Sequence, residues 1–449
     1  MNSTNQPHEA GKHNFQHTMS LYEENFIPME DVPILLTDLP TKSAIIGRIG
    51  IMFLACGTGA WRIREAMNRV ARNLDVICSV SLGIRSLEYT CYQGNESLTR
   101  ILSIPNVGVN TNRLADLERL VDRFKADYLN ENAKEIHHQL DAIQAKKGLH
   151  STLVSCLASG VACGAFIFLL GGGIIELFCT FIGAFIGQFF RKKMLDKQLT
   201  LTAWIIVSVF TACLFYGISF YALAYFLPIK MSHQAGYIGA MLFIVPGFPF
   251  ITSCLDLAKL YMRSGIERLV YSILILAIAT LSAWVAALVL NLQPQPFVPQ
   301  DLSPLLLFVL RIIASFCGVY GFSILFNSPH KMAATAGLIG AVSNTLRLEL
   351  IDVFNFPIAT AALVAAIVAG LCATFFNKEE HYPRIALTVP SIVIMVPGFY
   401  IYTAVYYMSD YQIGQGATWA TKALLILLCL PLGLTIARMI TDKEFRYCT

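Results

Sequence analysis

The sequence has little charge. Asp, Glu, Lys and Arg make up only 14% of its 449 residues, against roughly a quarter in a typical soluble chain, which argues against an ordinary cytosolic enzyme. The shortfall is uneven. Residues 1–150 carry 16 Lys+Arg and 17 Asp+Glu, a net charge of −1, while residues 151–449 carry 17 and 12, a net of +5. The first third has the composition of a soluble domain and the remainder that of a membrane protein. The overall excess of +4 is spread along loops and forms no dense basic patch, so nucleic acid is not an expected partner.

Other absences narrow the field. None of the 12 Cys stands in a C-x-x-C pair. Cys156, Cys163, Cys179, Cys213, Cys317, Cys372 and Cys429 lie inside apolar runs, where the thiol behaves as a small hydrophobe. The stretch Met1 to Phe26 is polar and contains Glu9, Glu23 and Glu24, unlike a signal or transit peptide. His8, His13 and His17 within it read as part of a disordered tail over residues 1–40, the alternative being metal recruitment. No phosphate loop, nucleophile elbow, H-E-x-x-H or Cys–His cluster occurs. No cofactor or metal is therefore expected, and ATP-driven chemistry has no support.

What is abundant is apolar length. A helix needs about 20 apolar residues to cross hydrocarbon. Ten segments supply them: 151–171, 174–190, 199–227, 235–254, 266–290, 304–326, 332–351, 355–376, 385–408 and 417–438. The seventh is the most polar, with Arg347, Glu349 and Asp352 crowding its end. With residue 150 placed on the cytoplasmic side, the inside loops and tail collect Arg191, Lys192, Lys193, Lys197, Lys259, Arg263, Arg268, Lys331, Lys378, Arg384, Arg438, Lys443 and Arg446. The outside keeps Lys230 and Lys422. This positive-inside bias puts both termini in the cytoplasm.

The Pro-rich segment Asn291–Pro304 separates two sets of five spans. The fourth span of the first set reads Ile244-Val-Pro-Gly-Phe-Pro249, and the fourth of the second reads Met395-Val-Pro-Gly-Phe-Tyr400, 151 residues on. Five is odd, so the second set enters from the opposite face, which predicts an inverted-topology repeat. Proline removes a donor and glycine tolerates unwinding. In hydrocarbon such a segment persists only when buried in protein or lining a wet cavity. The half-helix starting after Pro249 would direct its amides at an anion, a carboxylate being the natural candidate. A plain kink is the alternative for either copy alone, and recurrence in both sets favours a site. Pro246, Gly247, Pro249, Pro397 and Gly398 are the first candidate binding residues.

Intramembrane polar groups supply the others. Asp256 lies two turns beyond Pro249, with Thr252 on the same face. It reads either as a proton carrier or substrate contact, or as a solvated acid paired with Lys259 or Arg263. Glu176, after Gly171-Gly172-Gly173, is a second proton carrier or an exposed hairpin acid. Arg311 and Arg347 suit a carboxylate, being always charged and able to bond it bidentately. Arg347 alternatively pairs with Glu349 or Asp352. Asn344 shares the face of Arg347. Tyr400 and Tyr402 are within reach of the second break, whereas Tyr406 and Tyr407 read as interface aromatics.

Residues 41–147 show the patterns of a folded α+β domain. Ile45, Ile49, Met52 and Phe53 share a helical stripe, as do Ile63, Met67, Val70 and Leu74. Val76, Cys78, Val80 and Leu82 alternate, then Leu87, Tyr89 and Cys91, with Gly94-Asn95 turning into a third run. Two more helical stripes follow, one through Leu114, Leu117, Val121 and Phe124, the other through Ile136, Leu140 and Ile143.

The residues quoted, taken together, resemble the threonine/serine exporter (ThrE) superfamily. The most specific stretch is Val245-Pro-Gly-Phe-Pro-Phe-Ile-Thr-Ser-Cys-Leu-Asp256, continuing through Ser264-Gly-Ile-Glu-Arg268. It is similar to the family pattern of Pro-Gly-x-Pro, an Asp, then Gly and Arg. Gly57-Thr-Gly-Ala-Trp-Arg62, Gly108-Val-Asn110, the Gly171 run, Phe326-Asn-Ser-Pro329 and Val396-Pro-Gly398 are weaker matches. Two departures stand out: Arg64, beside Glu65, occupies a position where the family commonly has an acid, and Glu176 replaces the usual Asp.

The resemblance implies proton-driven export of small hydroxy amino acids, with dicarboxylate export known among paired-protein relatives. The expected protein is a mainly α-helical polytopic membrane protein of about ten transmembrane helices in an inverted 5+5 repeat. Its expected parts are a cytoplasmic α+β domain over 41–150, five-helix modules over 151–290 and 305–440, an extracytoplasmic linker over 291–304 and a tail over 441–449. It would sit in the cytoplasmic membrane, alone or as a homo-oligomer, with lipid, protons and threonine or serine as partners. Substrate would lie between the two breaks, its polar end meeting Thr252, Ser253, Asn344 or a tyrosine. Export of succinate-like dicarboxylates and a channel for small anions are the rivals, with a membrane enzyme or scaffold built on the soluble domain a third.

Overall fold

The computed structural model describes residues 32–104, 107–226, 231–295, 297, 302–377 and 382–446. His8, His13, His17, Lys230, Lys378 and part of the Pro-rich linker lie outside the described residues. The chain divides into two units, Met1–Lys146 and Lys147–Thr449.

The first unit runs α1 (Leu39–Ala55), α2 (Ala60–Asn73), β1 (Ile77–Leu82), β2 (Ser86–Gln93), β3 (Glu96–Ser103), α3 (Thr111–Asp127) and α4 (Ala133–Ala145). Asp38 caps α1 by accepting the Thr41 amide at 3.1 Å, and Pro40 sits in the first turn, where its missing N–H costs nothing. α1 is buried nearly all round, so it has to be covered on every side. β2, β3, α2, α3 and α4 provide that cover. The strands form one antiparallel sheet in chain order, whose alternation buries Leu82, Leu87, Tyr89, Cys91 and Leu102.

Two quoted motifs meet in this unit. Gly57 has φ 78°, and a Cβ there would lie 2.4 Å from the Gly108 carbonyl. The Asn110 amide bonds the Cys56 carbonyl at 3.3 Å. Arg62 finds its acid on α3, in Glu118, rather than two residues along its own helix. The end of the tail expected over 1–40 is structured: Ile34 is buried, because an apolar side chain gains by leaving water, and its amide donates to the Glu131 carbonyl at 2.8 Å, while Leu36 stays exposed.

The second unit runs α5 (Thr152–Leu169), α6 (Ile174–Asp196), α7 (Leu201–Phe226), α8 (Tyr237–Ala240), α9 (Gly247–Ala258), α10 (Met262–Leu290), α11 (Pro304–Leu325), α12 (His330–Asp352), α13 (Ile358–Phe376), α14 (Arg384–Val393), α15 (Gly398–Ser409) and α16 (Ile413–Thr441). Seven described helices are long and apolar enough to cross a membrane: α5, α6, α7, α10, α11, α13 and α16. Two bent pairs pass as broken spans, 234–244 with α9 at 58° and α14 with α15 at 45°, which raises the count to nine. The seventh segment expected, 332–351, is helical as α12, but Lys331, Arg347, Glu349 and Asp352 leave it too polar to stand among them.

The last elements of the two sets correspond residue for residue. α9 and α15 both have 12 residues, and α10 and α16 both have 29. Each pair is joined at a left-handed residue, Leu260 with φ 62° and Tyr411 with φ 59°. Packing repeats as well: α6 lies on α5 and α7, and α12 on α11 and α13, with α5 against α11. Close approach comes from small residues. A Cβ on Gly183 would lie 2.5 Å from the Ala212 carbonyl, and one on Gly187 2.8 Å from that of Ser208, the small-xxx-small crossing common in membranes.

One buried polar network in the first unit has a pH consequence. Arg48 of α1, 3% exposed, donates to the His137 carbonyl at 3.1 Å and lies 3.0 Å from His137 Nδ1, and it also reaches Asp141 and Gln144 on α4. Arginine has only donors, so Nδ1 must accept and the ring is neutral. Burial, then the Arg48 charge, push His137 down to about 4. Because the unfolded chain binds this proton more readily, stability is complete above the unfolded value near 6.5 and falls as pH drops towards 4. The loss reaches at most about 3 kcal/mol. Amide exchange of α4 in the full chain, corrected for intrinsic rates, should quicken between pH 7 and 4, and His137→Gln should flatten that dependence.

Candidate functional site

The two Val-Pro-Gly-Phe sequences interrupt their spans in the same way. Pro246 has φ −80°, ψ 58° and Pro397 φ −81°, ψ 46°, near the inverse γ-turn. In each, the next glycine amide closes the turn on the valine carbonyl, Gly247 to Val245 and Gly398 to Val396, both at 2.8 Å. Helix resumes at once. α9 begins at Gly247, three residues ahead of the expected start after Pro249, because proline is tolerated in a first helical turn. Neither start has a side-chain cap. In α9 the Gly247 amide is taken and Pro249 has none, which leaves the Phe248 N–H for a ligand. In α15, where Tyr400 replaces proline, the amides of Phe399 and Tyr400 remain.

The breaks pack on each other. A Cβ on Gly247 would lie 2.4 Å from Val393 Cγ2, and one on Gly398 2.9 Å from Val245 Cγ2, so each glycine admits a valine beside the other break. Tyr237 and Tyr402, both fully buried, share a hydroxyl–hydroxyl hydrogen bond of 2.9 Å. Tyr237 precedes the first break in a short helix, which hid it from any periodicity. Tyr400 is half-buried against Trp419, with ring centroids 5.3 Å apart. Thr252 donates to the Phe248 carbonyl at 3.0 Å and Ser253 to that of Phe250 at 2.8 Å. Their protons are committed to backbone, so these hydroxyls can accept from a ligand but not donate.

Asp256 lies nine residues along α9 from Gly247, about 13 Å at 1.5 Å per residue, and belongs to a second cluster. It is fully buried, accepts from Ser264 Oγ at 3.1 Å and stands 3.7 Å from Arg268 Nε. Arg268, counted above among the inner loop charges, is 3% exposed inside α10 and supplies the countercharge. Of the partners expected, Lys259 donates to the Phe445 carbonyl at 2.6 Å and Arg263 pairs with Glu267. The spacing from Asp256 to Arg268 across a turn was the available signal. Glu176 is not an exposed hairpin acid. It is fully buried in the first turn of α6 and accepts the Gly173 amide at 2.9 Å.

Arg311 and Arg347 part company. Arg311 takes both acids of α12, Glu349 at 2.8 Å and Asp352, the pair weighed above for Arg347. Arg347 is 7% exposed and its Nε has no hydrogen-bond partner. On the same face, Asn344 donates to Ser315 Oγ at 2.8 Å while its Oδ1 stays unpartnered, as does the neighbouring Thr345 hydroxyl. The fold thus gathers Pro246, Gly247, Pro397, Gly398 and Tyr402 at the breaks. Arg347 and Asn344 present open polar atoms on α12, Asp256 sits in the second cluster, and Glu176 is engaged as a helix cap.

Apolar spans broken in a related pair, with a buried carboxylate on one of them and buried arginines on other helices of the same unit, are the features of a polytopic membrane transporter. The chain belongs to the threonine/serine exporter (ThrE) family. The family model "Putative threonine/serine exporter" matches residues 44–290, and the model "Threonine/Serine exporter, ThrE" matches residues 311–440. No curated protein and no solved structure matches the chain.

Two stability predictions follow from this geometry. Gly247→Val should overpack the contact with Val393 and cost about 1–3 kcal/mol, read as a lower unfolding temperature in detergent micelles. Arg268→Met should cost about 3–5 kcal/mol by taking the Arg268 countercharge away from the buried Asp256. Adding Asp256→Asn to Arg268→Met should then recover most of that loss.

Proposed function

We propose that the protein is a secondary-active exporter of threonine or serine, coupled to the proton gradient and working by alternating access. The observation that carries this reading is Arg347, a buried guanidinium with an unpartnered Nε beside the unpartnered Asn344 Oδ1. The substrate carboxylate bonds Arg347 and the open amides of Phe399 and Tyr400, which together make a charge-assisted anion site. The ammonium and hydroxyl donate to Asn344 Oδ1 and to lone pairs of Thr252 or Ser253. An unpaired guanidinium inside a membrane protein is costly, and a carboxylate relieves that cost when it binds.

Proton coupling falls to Asp256 on this reading. Protonating it releases Arg268 and Ser264 and loosens α9 from α10, the helices that frame the first break. Glu176 suits the role less well, because protonation would uncap α6. The two sets form an inverted repeat with both termini in the cytoplasm and the first unit on that side of the cell membrane. Packing of the breaks on one another lets a single rocking motion move both. A dicarboxylate would call for a second open cation, and Arg311 is already occupied by two acids, so the monocarboxylate is favoured.

Proteoliposomes loaded with labelled threonine should release it when a proton gradient is imposed, and release should be trans-stimulated by external threonine. Arg347→Met should weaken apparent affinity about 10- to 100-fold, since a charged hydrogen bond contributes about 1.5–3 kcal/mol. Asp256→Asn should abolish the response to the gradient and leave exchange intact. Release without trans-stimulation would make the protein a channel, and preferential export of succinate would overturn the substrate assignment.

A further inference from the structure

Strands β1 and β2 bring together two cysteines that the transport reading does not use. Cys78 and Cys91 are directly opposed in the sheet register, and both are free thiols. The kind of pair they form follows from the hairpin. The Gly83 amide bonds the Ser86 carbonyl at 2.9 Å, which makes Gly83–Ser86 a hydrogen-bonded position. Such positions alternate with non-hydrogen-bonded ones along an antiparallel ladder, so Leu82–Leu87, Val80–Tyr89 and Cys78–Cys91 are of the second kind. There the Cα atoms stand about 4.5 Å apart with side chains at their closest, within the window of about 4.4–6.8 Å that a disulfide requires.

The two side chains stand directly opposite each other on one face of the sheet, which puts the sulfurs within reach of one another. Cys91 is fully buried on the central strand, and Cys78 is half-buried on the edge strand, so solvent reaches the pair through Cys78. Cys56 in the same unit is different: burial pushes its thiol up to about 12.

We infer that Cys78 and Cys91 are a redox-active dithiol, a modification site that small disulfides of the glutathione type oxidise to an intramolecular disulfide. Cys78, the sulfur that solvent reaches, loses its proton and attacks the oxidant, forming a mixed disulfide and releasing one small thiolate that takes up a proton. Cys91, facing it across the sheet, then gives up its own proton and attacks Cys78 Sγ, displacing the second small thiol. Two protein thiols become one disulfide, and one oxidised small disulfide becomes two thiols, so electrons and protons balance. In a reducing compartment such a bond is reversible, and it staples the edge strand to the middle of the sheet.

The full chain in micelles, treated with oxidised glutathione and mapped by mass spectrometry, should lose two thiols and yield a linked Cys78–Cys91 peptide, while Cys56 stays free. Dithiothreitol should restore both thiols. Cys91→Ser should instead retain glutathione on Cys78, because no resolving thiol remains. Free thiols at both positions in the native chain under these conditions overturn the inference. So does a stable glutathione adduct on Cys78 with Cys91 present, or a link from Cys78 to any other cysteine.

Discussion

An interrupted backbone cannot face lipid, and this constraint organises the second unit. Pro246 and Pro397 each end a run of helix in the middle of apolar sequence, exposing carbonyls and amides that hydrocarbon cannot satisfy. Part of the remedy is local, since the γ-turns at Gly247 and Gly398 satisfy one amide each. The rest is mutual. Glycine on each break leaves room for a valine beside the other, and the two interruptions cover one another. α10 and α16, of equal length, then back the half-helices that begin there.

The backbone repeats but the chemistry does not. Thr252 and Thr403 stand at equivalent places and both bond back to their own helix, as a structural hydroxyl does. Asp256 is answered by Tyr407, Arg268 by Trp419 and Pro249 by Tyr400. One copy therefore keeps a buried ion pair, and the other keeps aromatic groups and an extra open amide. On the reading proposed above, the two copies share the movement and divide the work between proton and substrate.

Much of the site was legible because its signals are linear. Two Val-Pro-Gly-Phe sequences at a fixed spacing mark the breaks wherever the chain folds, and ten apolar runs stand out by composition. What was not legible depends on which side chain lies opposite which. Arg268 looks like one more inner-loop charge until α10 turns it inward against Asp256. Arg311 and Arg347 carry the same chemistry, and nothing local distinguishes the one that two acids claim. Glu176 reads as a hairpin acid until its carboxylate folds back onto the Gly173 amide. The opposition of Cys78 and Cys91 needed the strand register, which a shift of one residue would have broken.

The sequence by itself determined that charge gathers in the first third and apolar length in the remainder, where most of the long apolar helices fall, and where two of them break. Hydrophobicity and backbone chemistry act residue by residue, so they can be read in one dimension. Tertiary structure alone decided that the breaks touch, that Arg347 rather than Arg311 is left open, and that Asp256 answers to Arg268. Pairing depends on distance in three dimensions: a buried charge joins whichever opposite charge packing brings nearest, and that choice is made only when the helices close on each other.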